Sequence, residues 1–237
     1  MNAFTKIDAM VADAYSMANF VYVDIETIPT QSTEVMADLR AAVKPPASLK
    51  KQESIDAWLA ENADVAAAEA AAKTSFDGGR GHVCTISWAV NDGETKVAHA
   101  STVADEAEVI EGFFDDLRRA KNTVLVGHNL IGFDLPFLRK RAICLGVPLP
   151  SNARFPRDPK PWDKGVHDTM VMWAGARDTI SMDRLCNILG LEGKGGFDGS
   201  QVARAWAEGR HEEIAAYCTQ DVERTRALHQ RFLAVGY

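Results

Sequence analysis

The chain has 237 residues, 46% of them hydrophobic, enough to bury a good core as one domain spanning 1–237. No apolar run approaches the roughly 20 residues of a membrane span, and residues 1–19 carry Asp8 and Asp13 with no signal-like apolar core, so a soluble, cytoplasmic protein with no membrane association is expected. A net charge of −7 excludes broad nonspecific adhesion to duplex nucleic acid, and four scattered cysteines (Cys84, Cys144, Cys186, Cys218) with no Cys-x-x-Cys pair exclude a zinc or disulfide framework and read as reduced, buried thiols.

The first predicted element is a strand at Phe20–Ile25, β-branched and aromatic. Residues two apart in a strand share a face, so Asp24 and Glu26 project together while Val23 and Ile25 project oppositely. Two like charges held side by side are costly unless one takes a proton or a cation binds between them.

The stretch from about 31 to 80 reads as a helical insertion, since Ser54–Asn62 and Ala63–Lys73 are rich in helix formers and Pro45-Pro46 and Gly78-Gly79 punctuate its ends. Its Lys44, Lys50, Lys51, Lys73 and Arg80 form either a basic rim for a nucleic-acid strand or an ordinary solvated face. The same two readings hold for Arg139-Lys140-Arg141 and for Arg154, Arg157, Lys160 and Lys164.

Strands Val83–Val90 and Thr95–His99, joined by Asn91-Asp92-Gly93, form a predicted hairpin. A helix at Asp105–Arg119, a strand at Thr123–Val126, a helix at Leu135–Leu145, a proline-rich connection at 148–161 and a short strand at Val166-His167-Asp168 follow. This order is mixed α/β. Between strand and helix, His128-Asn129 leads to Phe133-Asp134. Asp134 is either the N-cap of the helix opened by Leu135-Pro136 or a ligand. The Asn129 amide suits a phosphate or sugar oxygen. Phe133 is either a core aromatic or a stacking group, and His128 either a structural residue or a substrate contact.

Gly193–Gly199 lacks the spacing of a nucleotide-binding phosphate loop. The last element is a helix from about Arg210 to Phe232, with Ile214, Tyr217, Cys218, Val222, Thr225 and Leu228 as its inward stripe. Asp221 falls on the edge of that stripe, one turn after Tyr217, with Arg224 and Arg226 as its alternative partners.

Asp24-Ile25-Glu26-Thr27, then His128-Asn129-x-x-x-Phe133-Asp134, then Tyr217-x-x-x-Asp221 resemble the three exonuclease motifs of the DEDD superfamily of 3′→5′ exonucleases, in its tyrosine-bearing branch. In the histidine branch the position five before the last Asp is His; here it is Ala216. The resemblance runs from about Phe20 to Leu233 and is nearest to stand-alone proteins related to the proofreading domain of family B DNA polymerases. The segments Ser181–Leu185, Gly193–Gly196 and Gly199–Val202 share that likeness.

The resemblance implies an RNase H-like mixed sheet flanked by helices and two-metal phosphodiester hydrolysis. Asp24, Glu26 and Asp221 would hold one Mg²⁺ or Mn²⁺, Asp24 would bridge to a second, and Asp134 would support the second directly or through water. Tyr217, whose phenol is a poor base at neutral pH, would orient the attacking water with Glu26. Thr27, Asn129 and Phe133 are the candidate substrate contacts. The expected substrate is a single strand with a free 3′ end, DNA ahead of RNA. A metal-dependent endonuclease and an inactive nucleic-acid-binding module are the competing readings. Negative charge is compatible with such an enzyme, because metal ions supply much of the phosphate attraction.

Overall fold

The centre of the fold is the strand that carries Asp24 and Glu26. In a computed structural model that describes residues 18–193 and 195–237, this strand is β1 (Asn19–Ile28). The leading segment with Asp8 and Asp13, and Lys194 in the glycine-rich stretch, lie outside the described residues. β1 pairs antiparallel with β2 (His82–Val90), which pairs antiparallel with β3 (Lys96–His99). On its other side β1 runs parallel to β4 (Thr123–Gly127), and β4 parallel to β5 (Val166–Asp168), so the sheet order is β3-β2-β1-β4-β5. The predicted hairpin is present, with Asn91 at φ 51° and the Gly93 N–H bonded to the Val90 carbonyl.

Alternation along β1 divides the core. Val21, Val23 and Ile25 pack with Ile110, Phe113, Phe114 and Leu117 of α3 (Glu106–Arg119) and Leu135 and Leu138 of α4 (Leu135–Leu145). On the opposite face Tyr22 packs against Val222, and Ile28 against Ile214 and Tyr217, of α8 (His211–Leu233), with Val202 and Ala205 of α7 (Val202–Ala207) beside Ile28. Two short helices, α5 (Thr169–Ala174) and α6 (Met182–Leu189), complete the α8 side, where Leu185 meets Leu228 and Phe232. This is the mixed α/β sheet flanked by helices that the sequence implies.

The 31–80 stretch forms α1 (Thr33–Ala41), α2 (Gln52–Ala72) and a 3₁₀ turn at Lys73–Phe76. The two predicted helical segments are one helix, and its buried residues are Ala63, Ala67 and Ala71. Arg40 of α1 pairs with Asp64 of α2. The insertion is tied back to the sheet at its exit: the Thr30 N–H donates to Thr74 Oγ1 at 2.8 Å, and a Cβ on Gly81 would lie 2.3 Å from the Thr74 carbonyl oxygen and 2.9 Å from that of Ile28. Only glycine permits that approach.

Several basic residues of the predicted rims serve the fold instead. Arg141 is buried and forks onto Glu106, with Nε to Oε1 at 2.7 Å and Nη2 to Oε2 at 2.8 Å. Glu106 also accepts from the Val83 N–H and meets His82 Nδ1. Arg154 donates to the Ala120 carbonyl at 2.8 Å, and Arg157 to those of Pro150 and Phe155 at 3.0 and 2.8 Å, pinning the proline-rich connection over the core. A buried guanidinium must be paired, so Arg141 is committed to Glu106, while the half-buried Arg154 and Arg157 are engaged by backbone carbonyls. Cys144 corrects the thiol expectation: it is exposed at the end of α4, while the other three cysteines are buried. Among the described residues, no helix is long and apolar enough to cross a membrane.

Candidate active site

The site lies where β1 outruns β4. Parallel pairing of the two strands stops at Tyr22 opposite Val126, so the far half of β1 has no β4 partner along that edge. A register shift between Glu26 and Thr27 marks a bulge just after the paired acids. α8 crosses above this end of the strand and brings Tyr217 and Asp221 down from one face, four residues apart. Carboxylate oxygens from Asp24, Glu26 and Asp221 all lie within 4.8 Å of one another.

Asp134 enters from the edge of β1 that β4 leaves unpaired. It stands at the N-cap position of α4 but makes no capping hydrogen bond; its Oδ1 accepts from the Ile25 N–H at 3.2 Å, in place of a partner strand. The capping reading therefore gives way to one in which Asp134 is held against the backbone between Asp24 and Glu26. A π-helical turn at Leu130–Asp134 aims it there, an irregularity common at functional sites. The loop before it is shaped by Asp168, whose carboxylate accepts from the N–H groups of Asn129 at 2.9 Å and Ile131 at 3.0 Å while also capping α5 through Met170 and Val171.

Asn129 adopts the left-handed region at φ 63°, and its side chain lies over Gly132, where a Cβ would be 2.4 Å from Asn129 Oδ1. The His128 ring bridges Thr169 Oγ1 and the Ile180 carbonyl, both at 2.9 Å, which favours its structural reading. Phe133 is half-buried, packed against the core and ringed by Phe137 at 5.5 Å and Phe76 at 6.4 Å. Thr27 donates its hydroxyl to the Ser75 carbonyl at 2.7 Å.

The electrostatics are those of a crowded anionic site. Burial, then Glu26, Asp221 and Asp134, push the Asp24 carboxyl well above the usual range. Burial pushes Asp134 up to about 8, with Asp168 adding to the shift. Tyr217 is raised as well, by burial first and then by Asp221, Glu26 and Asp24, so its phenol stays protonated and hydrogen-bonds to Asp221. The Cys218 thiol touches the Asp24 carbonyl and Oδ2 at 3.3 and 3.4 Å. One cation answers part of this charge: Arg224 Nη1 donates to Asp221 Oδ1 at 2.6 Å. Among the described residues no cationic side chain pairs with Asp24, and a convergent set of hard oxygen donors suits a divalent cation of the Mg²⁺ or Mn²⁺ type.

Residues 80–236 match the family described as "Predicted 3′-5′ exonuclease related to the exonuclease domain of PolB". The chain belongs to that family. The matched span contains Asp134, Tyr217 and Asp221, whereas Asp24 and Glu26 precede it. The chain is also 27% identical over 143 residues to a DNA polymerase of Archaeoglobus fulgidus, covering 56% of this chain and 18% of that protein. The structure of the family B DNA polymerase from the hyperthermophilic archaeon Pyrobaculum calidifontis aligns with a TM-score of 0.57 and 21% identity over 91% of this chain and 24% of that one, a likeness of fold. The chain thus spans about a fifth of the polymerases it matches.

For this exonuclease-related chain, sequence reasoning named the acids but missed what holds them. Asp168 appeared only as the end of a strand; the signal available was an Asp before Thr169-Met170, a helix-capping position. Arg224 was one of two candidate partners for Asp221, and the geometry selects it: Arg226 instead pairs with Glu223 and donates to the Gly93 carbonyl.

Proposed function

We propose that the protein is a metal-dependent 3′→5′ exonuclease of the tyrosine-bearing branch, releasing mononucleotides from the 3′ end of single-stranded DNA. The observation that carries this reading is the convergence of Asp24, Glu26 and Asp221 within 4.8 Å, with Tyr217 on the same helical face as Asp221. Membership of the exonuclease-related family supports the reaction class, and the DNA polymerases among its relatives favour DNA over RNA.

In this reading Asp24, Glu26 and Asp221 would hold one divalent ion, and Asp24 would share a second that Asp134 supports directly or through water. Such a pair supplies an activated water and stabilisation of the departing 3′ oxygen. The chain's own residues do the rest. Asp134, fixed on the Ile25 N–H, sets its carboxylate beside the backbone of the strand that carries the other two acids. Tyr217 is a protonated donor rather than a base, so its contribution is to orient the attacking water with Glu26. Arg224 fixes one oxygen of Asp221. Thr27, Asn129 and Phe133 would be the substrate contacts, Asn129 through its amide and Phe133 through its ring.

The test is digestion of matched DNA and RNA single strands, labelled at the 5′ end, with Mg²⁺ or Mn²⁺ and with excess chelator, beside a closed circular single strand. The expected result is metal-dependent shortening from the 3′ end of linear DNA, with mononucleotide product and an intact circle. Cleavage of the circle at the same rate favours an endonuclease, faster loss of RNA shifts the substrate, and no turnover with either metal overturns the enzymatic reading.

A further inference from the structure

Phe76 stands out among the apolar side chains because it is both exposed and held in place. The residue is 76% exposed. It ends the 3₁₀ turn Lys73–Phe76 at the exit of the insertion, and that turn is bonded to Thr27 of β1 and to Thr30 just beyond the strand, both on the far side of the bulge from Asp24 and Glu26. Thr27, the residue after Glu26, donates to the Ser75 carbonyl at 2.7 Å, and the Thr30 N–H donates to Thr74 Oγ1 at 2.8 Å. On its open side Phe76 meets Phe133 edge-to-face, at 6.4 Å and 60° between ring planes. Phe133 is the residue before Asp134 and is backed by Phe137 at 5.5 Å.

Exposing a large apolar ring on a turn fixed by two hydrogen bonds serves nothing in the fold, since the buried parts of this turn are Thr74 and backbone. Its position does serve a ligand. One end of the aromatic pair is chained to Glu26 through Thr27 and Ser75, and the other to Asp134 through Phe133, so a group resting on these rings is next to the carboxylates. A nucleobase has an apolar face of matching size, and stacking on an aromatic side chain is strong and tolerant of base identity.

We propose that Phe76, together with Phe133, is a stacking platform for a base of single-stranded DNA at or near its 3′ end, so that the 31–80 insertion supplies part of the substrate site. Phe76 precedes the span matched by the exonuclease-related family, which begins at residue 80. The assignment rests on the exonuclease reading above.

The experiment measures binding and turnover of a short oligothymidylate by the full chain. Binding is read in chelator and with Ca²⁺ by anisotropy, and stacking by the quenching of a 2-aminopurine at the 3′ terminus. Phe76→Ala is expected to weaken binding roughly 5- to 100-fold, to relieve the quenching and to raise KM, with Tm unchanged because the ring is exposed. Phe76→Trp should restore all three. Abasic nucleotides at the 3′ end should weaken binding to the native protein by a similar factor and add little to the loss in Phe76→Ala. Native-like binding, quenching and KM in Phe76→Ala, in a preparation that digests the strand, overturns the platform and leaves the exonuclease reading intact. A native protein that neither binds nor shortens the strand overturns both.

Discussion

Arg224 reaches back one turn along α8 to donate to Asp221 Oδ1 at 2.6 Å, and with its other nitrogen it donates to the Gly193 carbonyl at 3.0 Å. Both side chains are buried. One guanidinium thus balances the deepest charge on the helix and ties it to the loop that follows α6.

Removing that guanidinium leaves a buried carboxylate beside two others. Arg224→Met is expected to cost roughly 3–5 kcal/mol of stability in chelator, the usual penalty for orphaning one member of a buried pair. With saturating Mg²⁺ the deficit should shrink, because the ion replaces the missing positive charge and binding to the folded state stabilises it. Chemical denaturation with and without metal measures both; an equal deficit in the two conditions would show that Asp221 is not a metal ligand.

Asp24→Asn acts in the opposite direction. Because Asp24 is crowded by Glu26, Asp221 and Asp134, neutralising it should leave the metal-free protein as stable as the native one or more so. Turnover should fall by about a thousandfold or more, and the rise in Tm on adding Mn²⁺ should vanish. Turnover that persists for the native protein in excess chelator would remove the premise.

Tyr217→Phe keeps the ring against Ile28, Cys84 and Ile214 and loses only the hydroxyl. We expect kcat to fall roughly ten- to a thousandfold, as for other positioning hydrogen bonds, with Tm and metal affinity little changed. A kcat within about twofold of native, where chemistry limits the rate, would take Tyr217 out of the site.

About two turns beyond Asp221 on α8, on the same sheet-facing side, His229 is fully buried between Tyr22 Oη at 3.1 Å and His167 Nδ1 at 2.8 Å. Burial, with His167 adding, pushes His229 down to about 3, and burial lowers His167 too. A histidine whose folded value lies below its unfolded value near 6.5 is neutral in the fold and protonated when unfolded. Its stabilising contribution is therefore complete above about pH 6.5 and is lost as pH falls from there toward 3, by at most about 1.4 kcal/mol per pH unit. His229→Gln should flatten the fall in urea midpoint between pH 6.5 and 4; an unchanged slope would show that the pair does not contribute.

The Arg141–Glu106 fork gives a test of the insertion's anchorage. Burial alone would raise Glu106, but bonds from His82, Arg141 and the Val83 N–H hold it below the usual carboxylate range. Arg141 also donates to the Gly78 carbonyl at 3.4 Å. Arg141→Met should lose roughly 3–5 kcal/mol, and Arg141→Met with Glu106→Gln should recover part of it. Losses that simply add would argue against a coupled pair.

By itself the sequence determined the strand of β1, the side-by-side projection of Asp24 and Glu26 and the inward stripe of α8, because these follow from backbone periods of two and 3.6 that are local in the chain. It also made the three-motif pattern legible, since motif spacing is a property of the chain. Tertiary structure alone decided that Asp134 binds the Ile25 N–H instead of capping its own helix, because β4 ends at Gly127 and leaves that donor without a strand partner. It alone chose Arg224 over Arg226, buried Arg141 on Glu106 and set Phe76 beside Phe133. Each of these depends on where a side chain's partner lies across a long stretch of sequence or around a helix. Pattern shows which face a residue occupies; only packing shows what stands opposite it, and buried polar groups are decided by what stands opposite.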